Sequence, residues 1–149
     1  MIMHIWSVLC SQSVIDAQSN NISLFNVIEQ LTAVLKKTEI PEGTIPLVPI
    51  SLELVSLWER DELDQGKATG DVTVDVIDPT GKRLGGQNIT VDVSAARRCR
   101  TKLALGGIPI TSSGRYIMRV SVRENANDQP SVVAEVPIEV NVSFESSDR

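Results

Sequence analysis

The sequence predicts an all-β fold: a single antiparallel β-sandwich of about eight or nine strands with at most one short helix. Three observations carry that expectation. The last third of the chain alternates strictly, with Tyr116, Met118, Val120 and Val122 interleaved by Arg115, Arg119, Ser121 and Arg123, and then Val132, Ala134, Val136, Ile138, Val140 and Val142 interleaved by Glu135, Glu139, Asn141 and Ser143. A period of two over that length buries one face of a sheet and wets the other. Turn signals recur about every ten residues, the spacing of short antiparallel strands. Finally, 149 residues with 42% hydrophobic and 22% charged side chains suit one soluble domain, and a chain of this size buries roughly 70% of its unfolded surface without needing a metal or disulfide.

A first strand is expected from about Met3 to Ser11, ended by the turn formers Ser19, Asn20 and Asn21. Ile22 to about Leu31 is rich in β-branched and aromatic residues and reads as a strand. The spacing of Leu24, Ile28, Leu31 and Leu35 behind Ser23 also fits a short capped helix. Glu39 to Pro49 carries three prolines and reads as a linker or edge, since proline denies the sheet a donor. From about Pro49 to Glu59, Leu52, Leu54 and Trp58 line one face, while Glu53, Val55, Leu57 and Glu59 line the other. That second row is nearly as apolar as the first, so the strand is central or meets another subunit.

Asp61 to Gly70 is a polar loop, and Asp71 to Ile77 alternates as a strand. Asp78-Pro79-Thr80-Gly81 is a turn with proline preset at its second position. Gly85-Gly86 marks an irregularity of the bulge kind before the strand through Ile89, Val91 and Val93. Arg97 to Leu105 forms another strand, and Gly106 to Gly114 leads into the terminal ribbon. The domain should span 1–144, with 145–149 a frayed tail.

The ribbon's register can be set by charge and burial together. Arg115 should face Glu139 and Arg119 face Glu135, while Tyr116, Val120 and Val122 face Ile138, Ala134 and Val132 on the core side. Pro137 then opposes Ile117, which requires a strand with one free side there.

Composition excludes several function classes. A net charge of −5 argues against broad nucleic-acid binding, which depends on cationic neutralisation of phosphates, and against anionic membrane surfaces. No apolar run reaches the length of a membrane span. The apolar start, MIMHIWSVLCSQS, lacks a basic leader and a cleavage site. A cytoplasmic location is expected, with Cys10 and Cys99 as buried thiols rather than a disulfide. The sequons at Asn21, Asn88 and Asn141 are then chance matches.

Chemistry-bearing residues are few. His4 is the single histidine, so any Ser-His or Cys-His device must use it. One histidine and two scattered cysteines do not make a zinc site, and the glycine pairs lack the context of a phosphate cradle. No cofactor, metal or catalytic residue is assigned. Asp61, Glu62, Asp64, Asp71, Asp75 and Asp78 suggest acidic loops at 61–78 that would offer oxygens to calcium or another ligand, though in no EF-hand spacing. Arg98, Arg100 and Lys102 project from one face of a strand, behind Arg97. They either dock an anionic partner or pair with Glu53 and Glu59 across the sheet.

Trp58 on an early central strand and Tyr116 at the start of a late one, in GRYIMRVSV, make the chain similar to immunoglobulin-like sandwiches. The resemblance implies a core Trp58 and a tyrosine-corner bond from the Tyr116 hydroxyl to nearby backbone. Met118 stands where the second cysteine of antibody domains falls. The opening half, LCSQSVIDAQSNNISLFNVIEQL, resembles an uncharacterised bacterial family of small immunoglobulin-like β-sandwich proteins over about thirty residues. It brings no activity with it.

The expected function is therefore a non-catalytic interaction or assembly module, binding a protein partner or a second copy through Arg98, Arg100, Lys102, Val55 and Leu57. Ligand or calcium binding by the acidic loops is the alternative.

Overall fold

A computed structural model describes residues 1–63 and 68–145. Eleven strands and one 3₁₀ turn succeed one another: β1 (Ile2–Ile15), β2 (Ile22–Val27), β3 (Gln30–Lys36), the 3₁₀ turn Lys37–Glu39, β4 (Leu47–Val48), β5 (Leu52–Arg60), β6 (Thr69–Ile77), β7 (Arg83–Asp92), β8 (Arg98–Leu105), β9 (Ile108–Pro109), β10 (Gly114–Arg123) and β11 (Ser131–Glu145). The all-β expectation holds, with more strands than the eight or nine expected. The surplus comes from the break in the 22–36 segment and from the short β4–β9 pair.

The strands form a four-stranded sheet in the order β2-β1-β5-β8, a five-stranded sheet in the order β3-β11-β10-β6-β7, and the β4-β9 pair. One apolar cluster joins the two large sheets, with Leu9, Leu54 and Trp58 from the first meeting Val74, Tyr116 and Ile138 from the second. Trp58, Tyr116 and Ile138 are fully buried. The alternation read from the sequence thus places most of its apolar set in a shared core; Val132, expected on the core side, is 54% exposed instead, and Val133 packs against the core in its place.

Not every pairing is antiparallel. The segment 22–36 is extended throughout and not helical, but it breaks at Ile28 and Glu29 and changes sheets. β2 runs antiparallel to β1, the Ile28 amide bonds to the Leu9 carbonyl at 2.8 Å, and β3 then lies parallel to β11. A strand passing from one layer to the other meets opposite strand directions on the two sides, and this produces the parallel pair. β11 extends to Glu145, one residue past the boundary expected at 144; the rest of the expected tail, 146–149, lies outside the described residues.

The terminal ribbon keeps the expected register from Arg115↔Glu139 to Val120↔Ala134, including Pro137 opposite Ile117. It then slips by one, pairing Ser121 with Val132 and Val122 with Ser131. The expected Val122–Val132 pair is therefore replaced, because a bulge adds one residue to β11 and re-aims the side chains beyond it. β3 covers β11 only from Glu139 onward, so the ribbon is open on that flank at Pro137, where a missing donor costs nothing. The irregularity near Gly85-Gly86 is a shift between Val76 and Ile77, which face Gly85 and Arg83. Gly86 has a reason to be glycine: a Cβ there would collide with the Asp75 carboxylate and the Arg83 guanidinium that bond across it.

Candidate functional site

The hairpin between β1 and β2 builds a large concave surface. Asp16 organises its turn, its carboxylate accepting the amides of Gln18 at 2.9 Å and Ser19 at 2.7 Å. Those bonds, the Ser19 amide first, hold its carboxyl below the usual range. The Asn20 amide donates to the Asp16 carbonyl and the Asp16 amide to the Asn21 carbonyl. Asn20 itself sits at φ 58, a left-handed conformation that asparagine tolerates.

This arm does not extend straight from the sheet. Nine residues of extended chain separate Trp6 from Ile15, a span of about 30 Å if the strand were straight. Yet Trp6, Ile15, Asn20, Ile22, Leu57, Arg98 and Arg100 line one cavity of about 790 Å³. Asn20 also accepts both terminal nitrogens of Arg100, one on its carbonyl and one on its side-chain oxygen at 3.5 Å. Trp6, Leu57 and Arg100 are neighbours in register across β1, β5 and β8, so the arm coils back over the outer face of the four-stranded sheet. Its own flank carries Val14, Phe25 and Val27 about half exposed.

The expected docking residues thus divide. Leu57 and Arg100 face the groove, with Arg98 at its side. Val55 is only 1% exposed, so it is not the open contact expected; its register neighbours are Val8 on β1 and Lys102 on β8. Lys102 bonds Glu53 at 3.5 Å, and the Ser13 hydroxyl also donates to Glu53 at 2.7 Å. Arg97 and Arg98 share the buried Glu59, at 2.7 and 3.2 Å. Burial works to raise the Glu59 carboxyl, but the two guanidiniums prevail and keep it below the usual range. Arg97 also reaches Glu62. Arg100 differs from its neighbours: among the described residues its partners are the neutral oxygens of Asn20.

The acidic loops do not gather. Asp71 lies near the start of β6 and Asp78 just past its end, separated by a strand that spans on the order of 20 Å. Asp71 pairs with Arg123 at 3.6 Å and Asp75 with Arg83 at 2.7 Å. Asp78 is buried and shapes its own turn, accepting the Thr80 hydroxyl at 2.6 Å and the Thr80 and Lys82 amides at 2.9 Å. These bonds, led by the Thr80 hydroxyl, hold its carboxyl below the usual range. Among the described residues no group of three or more His, Cys, Asp or Glu side chains is placed to hold a metal; Asp64 lies outside them.

His4 sits edge-on to Trp58, with ring centroids 5.2 Å apart. Its Nε2 is bonded to the Ser7 hydroxyl at 2.7 Å, and Ser7 to the buried Ser56 hydroxyl at 2.7 Å. Burial lowers its pKa. No carboxylate among the described residues orients the ring, so the chain of hydroxyls reads as a polar stitch between β1 and β5.

Cys10 and Cys99 are free thiols. Cys10 pairs with Glu53 and Cys99 with Trp58, five residues apart on β5 and on opposite faces. That is about 17 Å along the strand, well beyond the reach of a disulfide.

The groove residues that sequence reasoning missed are Trp6, Ile15, Asn20 and Ile22. Their signal was the turn D-A-Q-S-N-N itself, which marked a hairpin without showing where its tip would land. Among the described residues no helix is long and apolar enough to cross a membrane. No protein-family model matches the chain, and a search of the curated proteins finds no match.

Proposed function

We propose that this protein is a non-catalytic interaction module, an immunoglobulin-like sandwich that seats a protein partner. One observation carries the reading: a hairpin arm bent over a sheet face, bounding a groove whose lining mixes the apolar Trp6, Ile15, Ile22 and Leu57 with polar groups of Asn20 and Arg100. Grooves of roughly 300–1,000 Å³ with apolar walls and a few placed polar groups are where proteins take ligands.

The immunoglobulin-like part rests on strand order and on Tyr116. β11-β10-β6 follow the G-F-C order, with β7 in the place of C′, and β1-β5-β8 follow A-B-E. The Tyr116 hydroxyl closes a corner on the residues just before it. The β2 arm is a departure from that plan, and an arm added to a stable frame is a common place for a binding surface. Two free thiols suit a reducing compartment and so a cytoplasmic location.

Crosslinking mass spectrometry on cells of the native host tests the module reading. A protein linked reproducibly to this chain is the expected result. No linked protein, together with a turnover that His4→Ala abolishes, would replace the module with an enzyme.

A further inference from the structure

We infer that the groove under the hairpin arm binds an extended acidic peptide segment, one that places a carboxylate on Arg100 and, two positions along on the same face, an apolar side chain against Trp6 and Leu57. The inference rests on the interaction-module reading and names the partner's chemistry.

Charge selects the occupant. In a chain of net charge −5, the sheet face under the arm carries four cations, Arg97, Arg98, Arg100 and Lys102, against three carboxylates, Glu53, Glu59 and Glu62; the arm adds Asp16, whose carboxylate is turned into its own hairpin turn on Gln18 and Ser19. The three glutamates take up Arg97, Arg98 and Lys102. Arg100 keeps its full positive charge, because a carbonyl and an amide oxygen orient a guanidinium without neutralising it. A guanidinium held in place beside apolar walls favours a carboxylate, which it can bind through two parallel bonds.

Topology selects a chain over a free acid. Among the described residues β8 is an edge strand, paired only with β5. Arg98, Cys99 and Arg100 all line the groove, although successive side chains of a strand point to opposite faces. The groove therefore meets the backbone of β8 as well as its side chains. An edge strand offers unpaired N–H and C=O groups to an extended segment, and alternate side chains of that segment fall on one face. An acidic residue on Arg100 and an apolar residue two positions away, on the same face toward Leu57, use both features at once.

The probe is the blocked peptide acetyl-Thr-Leu-Thr-Glu-Thr-Val-Thr-amide, whose Leu, Glu and Val share one face when extended, titrated into the full chain alongside its Gln-for-Glu counterpart. Trp6 lines the groove while Trp58 is wholly buried, so a change in tryptophan emission that Trp6→Phe abolishes reports on this site. The acidic peptide should bind saturably, with its counterpart about tenfold weaker or worse, as expected for losing a charge-assisted bond. Arg100→Gln should cost about the same factor, and Arg100→Lys less. Leu57→Glu, on the groove wall, should abolish binding while the melting curve stays cooperative. Equal binding of the two peptides, or an Arg100→Gln protein that binds as well as the original, overturns the assignment. A native partner crosslinked to another face with the acidic peptide inert also overturns it, and leaves the module reading in place.

Discussion

The Tyr116 hydroxyl is bonded four times to Thr111 and Ser112 in its own loop: it donates to the Ser112 carbonyl at 2.7 Å, accepts the Ser112 and Thr111 amides at 3.1 and 2.9 Å, and meets the Thr111 hydroxyl at 3.2 Å. The ring is fully buried, so one side chain anchors the entry to β10 and fills the core beneath it. Tyr116→Phe keeps the ring and strips all four bonds. It should cost about 1 to 3 kcal/mol in urea unfolding, the usual penalty for leaving buried polar groups unpaired. Amide exchange should quicken at Thr111 and Ser112. A cost below about 0.5 kcal/mol would mean that water replaces the hydroxyl there.

Val55 tests whether the outer face is closed by this chain alone. Its side chain is 1% exposed, and Val55→Ala should destabilise by about 1 to 3 kcal/mol. The loss should be the same at every protein concentration. A loss that shrinks as the protein is diluted would place the contact at a subunit interface instead.

Asp78 predicts a pH dependence with a definite sign. Its folded carboxyl titrates below the unfolded one, so its stabilisation is complete above the usual aspartate value and is lost as pH falls through the depressed folded value. The melting temperature of Asp78→Asn should lie below that of the original protein at neutral pH. The gap should close as pH falls below about 3.9, the usual aspartate value. A gap that widens in acid would refute the turn-anchoring role.

The two thiols should react unequally. Burial, and next the negative charge of Glu53, push the Cys10 thiol up, so it is protonated and shielded at neutral pH. A disulfide reagent should label Cys99 in the folded protein and reach Cys10 only after unfolding. Rapid labelling of both would show that the β1–β2 arm opens readily.

Lys102 and Glu53 form the ordinary kind of surface pair, 3.5 Å apart with the lysine about half exposed. Lys102→Ala should shift stability by less than about 1 kcal/mol. It should leave peptide binding unchanged within twofold, in contrast to Arg100→Gln.

Periodicity alone determined much of this molecule. Alternation from Tyr116 to Val120 and from Ala134 to Val142 set the two faces of the ribbon, and the match of Arg119 to Glu135 set its register as far as the bulge, because both depend on neighbours one strand away. The break at Ile28 and Glu29 and the parallel β3–β11 pair were not legible, since a strand that changes sheets has the same local chemistry as one that does not. The groove was half legible. Leu57, Arg98 and Arg100 announced themselves by facing outward on apolar or acidic ground, but Trp6, Ile15 and Asn20 read as an ordinary first hairpin. Only the folded chain decided that this hairpin coils back, setting Asn20 on Arg100. A sequence pattern specifies which side of a strand seeks water; where the far end of that strand goes is settled by contacts between residues that lie eighty positions apart in the chain.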